Sequence, residues 1–425
     1  MSSSARRKLL GRDRKAVYHC WTRCVRRAFL CGRDPYSRKD YSHRRDWIIT
    51  REEQLAGLFA IEVEFRAEMR NHLHAVLRTR PEIARRLSSV EVARRWLTIT
   101  RLAKCMSDGM PKVDEKEVQK LAKNRKRIAK LRRRLTSISW FMGILLENIA
   151  RRANREDKSR GRFWESRFRC RECTSESAIL ICGIYVDLNP IKAGEASSPE
   201  TARYTSVFQR LMAASQPKNS RTRADGWMAE LTLRPENKAD EKLAYRSRTG
   251  RRASDLGIIP VSLENYVKLL KWTARLLLSG QRRTIPKDLE AVLDHLDVNH
   301  EAWLDTVEEY EKSFCHAVGP PSSLAKVAER MDACHLKGAT AARRMAYSFA
   351  SAQHSSPKQD TRRSSRANPA TSITNTAEIA NTPCAVVTAL ALITSSGPAT
   401  PPKAAADSLT PMTRERCCSA VRSST

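Results

Sequence analysis

Long apolar runs are missing from this chain. No stretch approaches the ~18 consecutive apolar residues that cross a bilayer, so no membrane-spanning helix is expected. The opening Met1-Ser-Ser-Ser-Ala-Arg-Arg lacks the apolar core of an export signal, and a cytoplasmic protein without a membrane partner is the expectation. Paired cysteine spacing is missing too. The 12 cysteines are scattered: Cys170-x-x-Cys173 has no second pair at finger spacing, and Cys315-His316 and Cys334-His335 lie far along the chain. Free thiols are expected rather than a disulfide framework or a four-ligand zinc site. Acidic residues are few, 46 Asp plus Glu against 78 Lys plus Arg in 425 residues, which leaves a net charge of +32. A field of that sign makes polyanions the natural partners, nucleic acid first, although a merely basic or ribosome-associated protein would share the composition. The hydrophobic content of 41% is low for a chain folded throughout, so part of it is expected to be disordered.

Residues 16–31 read as a strand, with Val17, His19, Trp21 and Arg23 alternating with Tyr18, Cys20 and Thr22 before an Arg-rich turn toward Phe29 and Leu30. The spacing of Trp47, Ile48, Leu55 and Leu58 predicts a helix from Asp46 to Phe59. Phe59-Ala-Ile-Glu-Val-Glu-Phe and Asn71-His-Leu-His-Ala-Val-Leu each alternate and predict a strand pair. Strand, helix, strand, strand suits an α+β sandwich with helices on one sheet face. Helical patterning then runs from Pro81 to about Ile149 and includes Lys116 to Arg134, where basic side chains crowd the surface. Charge so one-sided suits phosphate contact as well as a solvated face, and carries no sequence information by itself. An apolar helix is expected over 174–193, ended by Asn189-Pro190.

The chain thus divides into a flexible N-terminus (1–12), an α+β domain (13–212), a basic linker (213–254), a helical domain (255–350) and a disordered Ser/Thr/Ala/Pro-rich tail (351–425). Leu263, Tyr266, Val267, Leu270, Ala274 and Leu277 form one stripe of the helical domain, and Leu293, Leu296, Trp303 and Val307 suggest further helices.

His72 and His74 flank Leu73 in the second strand of the pair. Alternation puts both imidazoles on one face, roughly 7 Å apart at ~3.3 Å per residue, a spacing at which two nitrogens can share one metal ion. A divalent ion held there with an open position could bind a phosphodiester oxygen and orient the bond for in-line attack. Taken alone, such a pair also fits ordinary surface or core histidines.

The surrounding residues resemble the REP-associated branch of the histidine-pair (HUH) tyrosine transposases. Tyr18-His-Cys-Trp-Thr-Arg is similar to that family's first-strand signature, and Met69-Arg-Asn-His-Leu-His-Ala-Val-Leu to its Met-Pro-Asn-His-x-His strand. Gly161-Arg-Phe-Trp-Glu-Ser-Arg-Phe resembles Gly-x-x-Trp-x-x-Arg-Phe, and Tyr185-Val-Asp-Leu-Asn-Pro-Ile-Lys-Ala-Gly resembles Tyr-x-x-x-Asn-Pro-x-x-Ala-Gly. These segments stand in the family's order and cover roughly residues 15–210. The resemblance implies a ferredoxin-like antiparallel sheet, Mg²⁺ or Mn²⁺ at His72 and His74, single-stranded or hairpin DNA as substrate, a nucleoid-associated location and a homodimer that holds two DNA ends. It also implies a tyrosine that forms a covalent 5′-phosphotyrosine link, splitting cleavage and joining into two in-line steps.

That tyrosine is absent. The family places it on the helix before the Gly-x-x-Trp segment, where this chain has Leu146-Glu-Asn-Ile-Ala-Arg-Arg-Ala-Asn-Arg, so Ile149 occupies its position. No tyrosine occurs between Tyr41 and Tyr185. Within the matching region Tyr18, Tyr36 and Tyr185 are the remaining candidates, each of which also suits packing; Asn154, Glu147 or Asn148 could complete the metal site. Arg70, Arg151, Arg152, Arg162, Arg167 and Arg169 are the expected DNA contacts, with Phe163, Trp164 and Phe168 interleaved as stacking or core aromatics. Three functions follow: a metal-dependent single-strand DNA transposase or nuclease, a catalytically inactive domesticated DNA-binding protein of the same fold, and an RNA-binding module.

Overall fold

The computed structural model describes residues 3–11, 13–215, 225–234, 247, 250–281 and 283–346. The first helix, α1 (Ser3–Leu10), stands where a flexible terminus was expected. Leu9 is fully buried and Arg6 Nη1 donates to Phe168 O at 3.0 Å, which fixes it. Strand β1 (Val17–Arg23), helix α2 (His43–Leu58) and strands β2 (Ile61–Glu68) and β3 (His72–Thr79) follow in the order the periodicity predicts. The helical stretch that comes next comprises α3 (Pro81–Arg86), α4 (Ser89–Lys104), α5 (Glu115–Ala122), α6 (Arg125–Arg134) and α7 (Ile138–Glu156). It ends at β4 (Arg169–Cys173). Further on are α8 (Glu176–Lys192), α9 (Ser206–Ser215), α10 (Leu263–Ser279), α11 (Lys287–Asp294), α12 (Trp303–Glu308), α13 (Tyr310–Ser313) and the short strand β5 (Ala317–Val318).

The protein is α+β, with a mixed sheet of order β2-β3-β1-β4-β5. The first four strands are antiparallel in the ferredoxin-like order, and β5 adds in parallel to β4. The sheet is covered on both faces, not one, and β2 is accordingly buried along its whole length. One face carries Tyr18, Cys20, Ile61, Val63, Leu73, Ala75 and Leu77 against a core that includes Ile48 and Leu55 of α2 and Phe141, Leu145 and Ile149 of α7. The other carries Val17, Val76, Phe65 and Ala67 against α8, α10 and α12. A bulge between Val63 and Phe65 lets one strand serve both cores, because the extra residue reverses the alternation. Gly183 of α8 sits where a Cβ would come within 2.6 Å of the Phe65 ring, so glycine permits the close approach of helix to sheet.

Sequence boundaries fail where tertiary contacts override local signals. Helix α8 runs through Pro190 to Lys192 instead of stopping at Asn189-Pro190. A proline this near a helix end removes one amide bond, and Asn189 Nδ2 donates to Tyr185 O at 2.9 Å in the same turn. The described parts of the expected linker are packed: Trp227 and Ser254 are buried, and Ala229 N donates to Val63 O at 3.0 Å. The stretches expected as separate domains belong to one compact unit, Met1–Ser356, because β5 extends the sheet and α10 packs on α8. Buried Asp187 joins these parts, accepting from Ser206 Oγ at 2.6 Å, Val207 N at 3.2 Å and Tyr266 Oη at 2.7 Å. The tail expected over 351–425 lies outside the described residues. No helix among the described residues is long and apolar enough to cross a membrane.

Candidate functional site

β3 and β1 pair in a register that sets Arg23 opposite His72, Trp21 opposite His74 and His19 opposite Val76. His19, Arg23, His72 and His74 therefore share the sheet face covered by α8 and α12. The rings of His72 and His74 lie 5.0 Å apart, and His19 stacks on His74 at 5.1 Å with its Nε2 2.8 Å from His74 Nδ1. The sequence pair is a cluster of three.

One hydrogen bond fixes the tautomer of His72. Asn71 Nδ2 donates to Arg27 O at 3.1 Å, which leaves its Oδ1 facing His72 Nδ1 at 2.7 Å. An amide oxygen only accepts, so His72 Nδ1 carries the proton and, in a neutral ring, Nε2 keeps its lone pair. Tyr310 Oη stands 3.3 Å from His19 Nδ1. In the tautomer in which His74 Nδ1–H donates to His19 Nε2 and His19 Nδ1–H to Tyr310 Oη, His74 Nε2 also keeps a lone pair. Burial keeps the rings neutral: desolvation, reinforced by Arg23, pushes His72 down to about 4, and desolvation lowers His19 and His74 well below the ordinary value. Neutral imidazoles, each held through its other nitrogen, are the donor set a divalent metal requires. Among the described residues, His72 and His74 form no trio with another His, Cys, Asp or Glu in which the ligand atoms all lie within 4.8 Å of one another.

The trio that does meet that spacing is Glu290, Asp294 and His300. There His300 Nε2 faces Glu290 at 3.5 Å and Nδ1 faces Asp294 at 3.6 Å. The two carboxylates address opposite nitrogens of one ring, an ion-pair geometry.

The C-terminal elements supply the roof of the histidine cluster. The rings of Tyr310 and Tyr185 lie 4.6 Å apart, tilted by 31°, and Tyr185 meets His74 edge-on at 5.8 Å. Tyr185 Oη donates to Glu311 Oε2 at 3.2 Å, while Glu311 Oε1 pairs with Arg23 at 3.2 Å. Arg171 donates to Tyr310 O at 2.9 Å and lies over the rings of Trp21 and Tyr310. His19, Arg171, Tyr310 and Glu311 were not singled out in the sequence. His19 is detectable only once the strand register is known, and Tyr310 and Glu311 have no local signal linking them to a strand so distant in the chain.

Other expected site residues lie elsewhere. Ile149 is fully buried in the core on the opposite sheet face, and Tyr18 is on that face too, its hydroxyl accepting from Arg14 Nη2 at 2.8 Å. Tyr36 is 92% exposed. Asn148 Nδ2 bonds the carbonyls that end α4, including Cys105 O at 2.9 Å; Asn154 Nδ2 donates to Gly161 O at 2.9 Å; Glu147 pairs with Arg151. These contacts account for the three side chains without the histidines. Replacing Ile149 with Tyr is expected to lower stability by about 1–3 kcal/mol, because the phenol overfills a closed core. It should yield no covalent DNA adduct; a thermal melt and a denaturing gel check both parts.

The expected DNA contacts divide. Arg70 lines a pocket of about 400 Å³ with Phe29, Arg33 and Arg38, next to Asn71 and His72. Arg26 and Arg27 adjoin it with φ of 54° and 56°, conformations held by Cys24 N→Asn71 O and Cys31 N→Arg70 O bonds of 2.8 Å. Arg162 and Arg167 line a groove of about 620 Å³ above Leu146 and Ala150, and Arg169 is exposed at the start of β4. Arg152 is occupied by Asp108 and by the Trp47 ring at 3.8 Å. Trp164 and Phe168 are buried, Trp164 Nε1 donating to Leu146 O at 2.9 Å.

No protein-family model matches the chain, and no curated protein matches it. Among solved structures it is similar to "the REP associates tyrosine transposase bound to a REP hairpin", at 11% identity over 54% of this chain and 93% of that one, with a TM-score of 0.27. Similarity at that level transfers no residue's role.

Proposed function

We propose that this chain is a metal-dependent DNA-processing protein that cleaves and joins single-stranded or hairpin DNA at the histidine cluster. The observation that carries the reading is the pair His72 and His74, whose Nδ1 atoms are engaged by Asn71 and His19 so that both Nε2 atoms can bind one Mg²⁺ or Mn²⁺. Bound there, the ion would supply Lewis-acid polarisation of a phosphodiester oxygen. Arg33 and Arg38, with Arg70, whose Nε lies 3.6 Å from Glu195 Oε2, would hold the flanking phosphates, as guanidiniums beside the site suit bidentate phosphate contact. Of the tyrosines in the matching region, Tyr185 is the one whose ring meets His74, edge-on at 5.8 Å, and Glu311 is placed to accept its proton.

A second reading, DNA binding without cleavage, is favoured by a specific observation: His74 is 4% exposed beneath Tyr185 and Tyr310, and the family tyrosine position is filled by Ile149 on the far face. Incubation of the purified chain with labelled hairpin and linear single-stranded DNA, with Mn²⁺ or Mg²⁺, separates the two. Metal-dependent strand scission supports the enzyme, and an adduct lost in Tyr185→Phe identifies the nucleophile. Tight binding with neither product leaves the binding protein.

A further inference from the structure

We infer that a second nucleic-acid surface lies away from the histidines, where Lys130 and Arg133 of α6 hold phosphates of a single DNA strand and Trp140 of α7 stacks on one of its bases. Helix α6 reads Arg125-Lys-Arg-Ile-Ala-Lys-Leu-Arg-Arg-Arg and buries only Ile128 and Leu131, so it presents cations to solvent and contains no acidic residue. Arg132 turns inward to the carbonyls of Ala84 and Leu87, both at 2.5 Å, and is spent there. Lys130, Arg133 and Arg134 instead line a pocket of about 380 Å³ with Ser137, Trp140, Arg14 and Asp13. Arg14 is engaged by Glu172 at 2.6 Å, and Asp13 is the single carboxylate in that lining.

Trp140 is 39% exposed, and Arg134 lies 4.3 Å from its ring centroid and 5.3 Å from that of Trp96. A guanidinium thus braces the indole while part of the ring stays open to solvent. Cations along a groove with an open aromatic are the components of a single-strand site, in which charge follows the backbone and rings stack on bases. Stacking requires an unpaired base, which selects a single strand over a duplex. Burial, together with repulsion from Arg127, lowers the Arg134 guanidinium below its ordinary value.

The surface is distinct from the histidine site. Thr79, which lines this pocket, ends β3 at the opposite end from His72, roughly 23 Å away at ~3.3 Å per residue. α6 and α7 also belong to the core on the other sheet face.

The test measures fluorescence anisotropy of a labelled single-stranded DNA of about twenty nucleotides with the full chain over a range of salt. Lys130→Ala/Arg133→Ala/Trp140→Ala is expected to bind roughly tenfold more weakly. Its slope of log affinity against log salt should be shallower by about 1.4, at about 0.7 per phosphate lost for two phosphates. Trp140→Ala alone should weaken single-strand but not duplex binding, and Trp140→Phe should restore most of it. Lys268→Ala/Lys271→Ala on α10 removes two charges elsewhere and should stay within about twofold.

Unchanged affinity and slope in the triple variant would overturn the proposal. So would an equal loss in the α10 control, which would mean diffuse charge, or a loss confined to RNA of the same sequence. Because Trp140 and Arg133 are exposed, circular dichroism melts should match wild type; if the triple variant unfolds, the Trp140 pair of variants decides. Metal binding at the histidines should be unaffected, so failure here and failure of the histidine reading are separable.

Discussion

Replacing both His72 and His74 with alanine is expected to weaken Mn²⁺ binding about 100-fold or more and to abolish metal-dependent scission of hairpin DNA. Two ligands are lost, and removal of even an outer hydrogen-bond partner costs about 10–100-fold in metal affinity. Asn71→Ala is such an outer change: it frees His72 Nδ1, now 2.7 Å from Asn71 Oδ1, and should weaken binding about tenfold. Mn²⁺ titration by calorimetry or electron paramagnetic resonance reads both variants. DNA affinity should fall only a few-fold, because phosphate neutralisation by Lys and Arg dominates binding in a chain of net charge +32. Wild-type protein that shows no saturable Mn²⁺ binding, with or without hairpin DNA, would remove the metal from the proposed function.

Asp187→Ala should be the most damaging single substitution away from the site. It leaves Ser206 Oγ, the Val207 amide and the Tyr266 hydroxyl without their shared acceptor inside the protein, a loss of about 3–5 kcal/mol. A urea unfolding curve measures it, and a shift under about 1 kcal/mol would mean that water replaces the carboxylate. Burial raises the Asp187 carboxyl above its ordinary value. The native state therefore holds that proton more tightly than the unfolded chain, and Asp187's contribution to stability declines as pH rises past the ordinary carboxyl value of about 3.9. Asp187→Asn, which does not titrate, should accordingly lie closer to wild type at neutral pH than at pH near 4.

The residues of the first three strands were legible because each carries its own period, whereas the five-residue β4, Arg169–Cys173, is too short to show one and was not read as a strand. The β2 boundary blurred at Phe59 and Ala60, and the bulge at Val63/Phe65 was invisible, since an inserted residue shows only against a partner strand. α8 extended past Asn189-Pro190 because tertiary burial outweighed a local stop signal. The basic stretch read as a linker is packed where described, since single anchors such as Trp227 suffice to seat a polar segment.

Strand alternation alone determined that His72 and His74 share a face, and composition alone determined a polyanion-seeking charge. The tertiary structure decided which face that is and what lies over it. Antiparallel pairing brought His19 beside His74, and the fold of a remote segment brought Tyr310 and Glu311 above both. It also put Ile149 across the sheet from the histidines. Periodicity is a property of neighbouring residues and can be read along the chain. Which surfaces meet depends on register, on the bulge and on burial shared by segments hundreds of residues apart, and these exist only once the chain has folded.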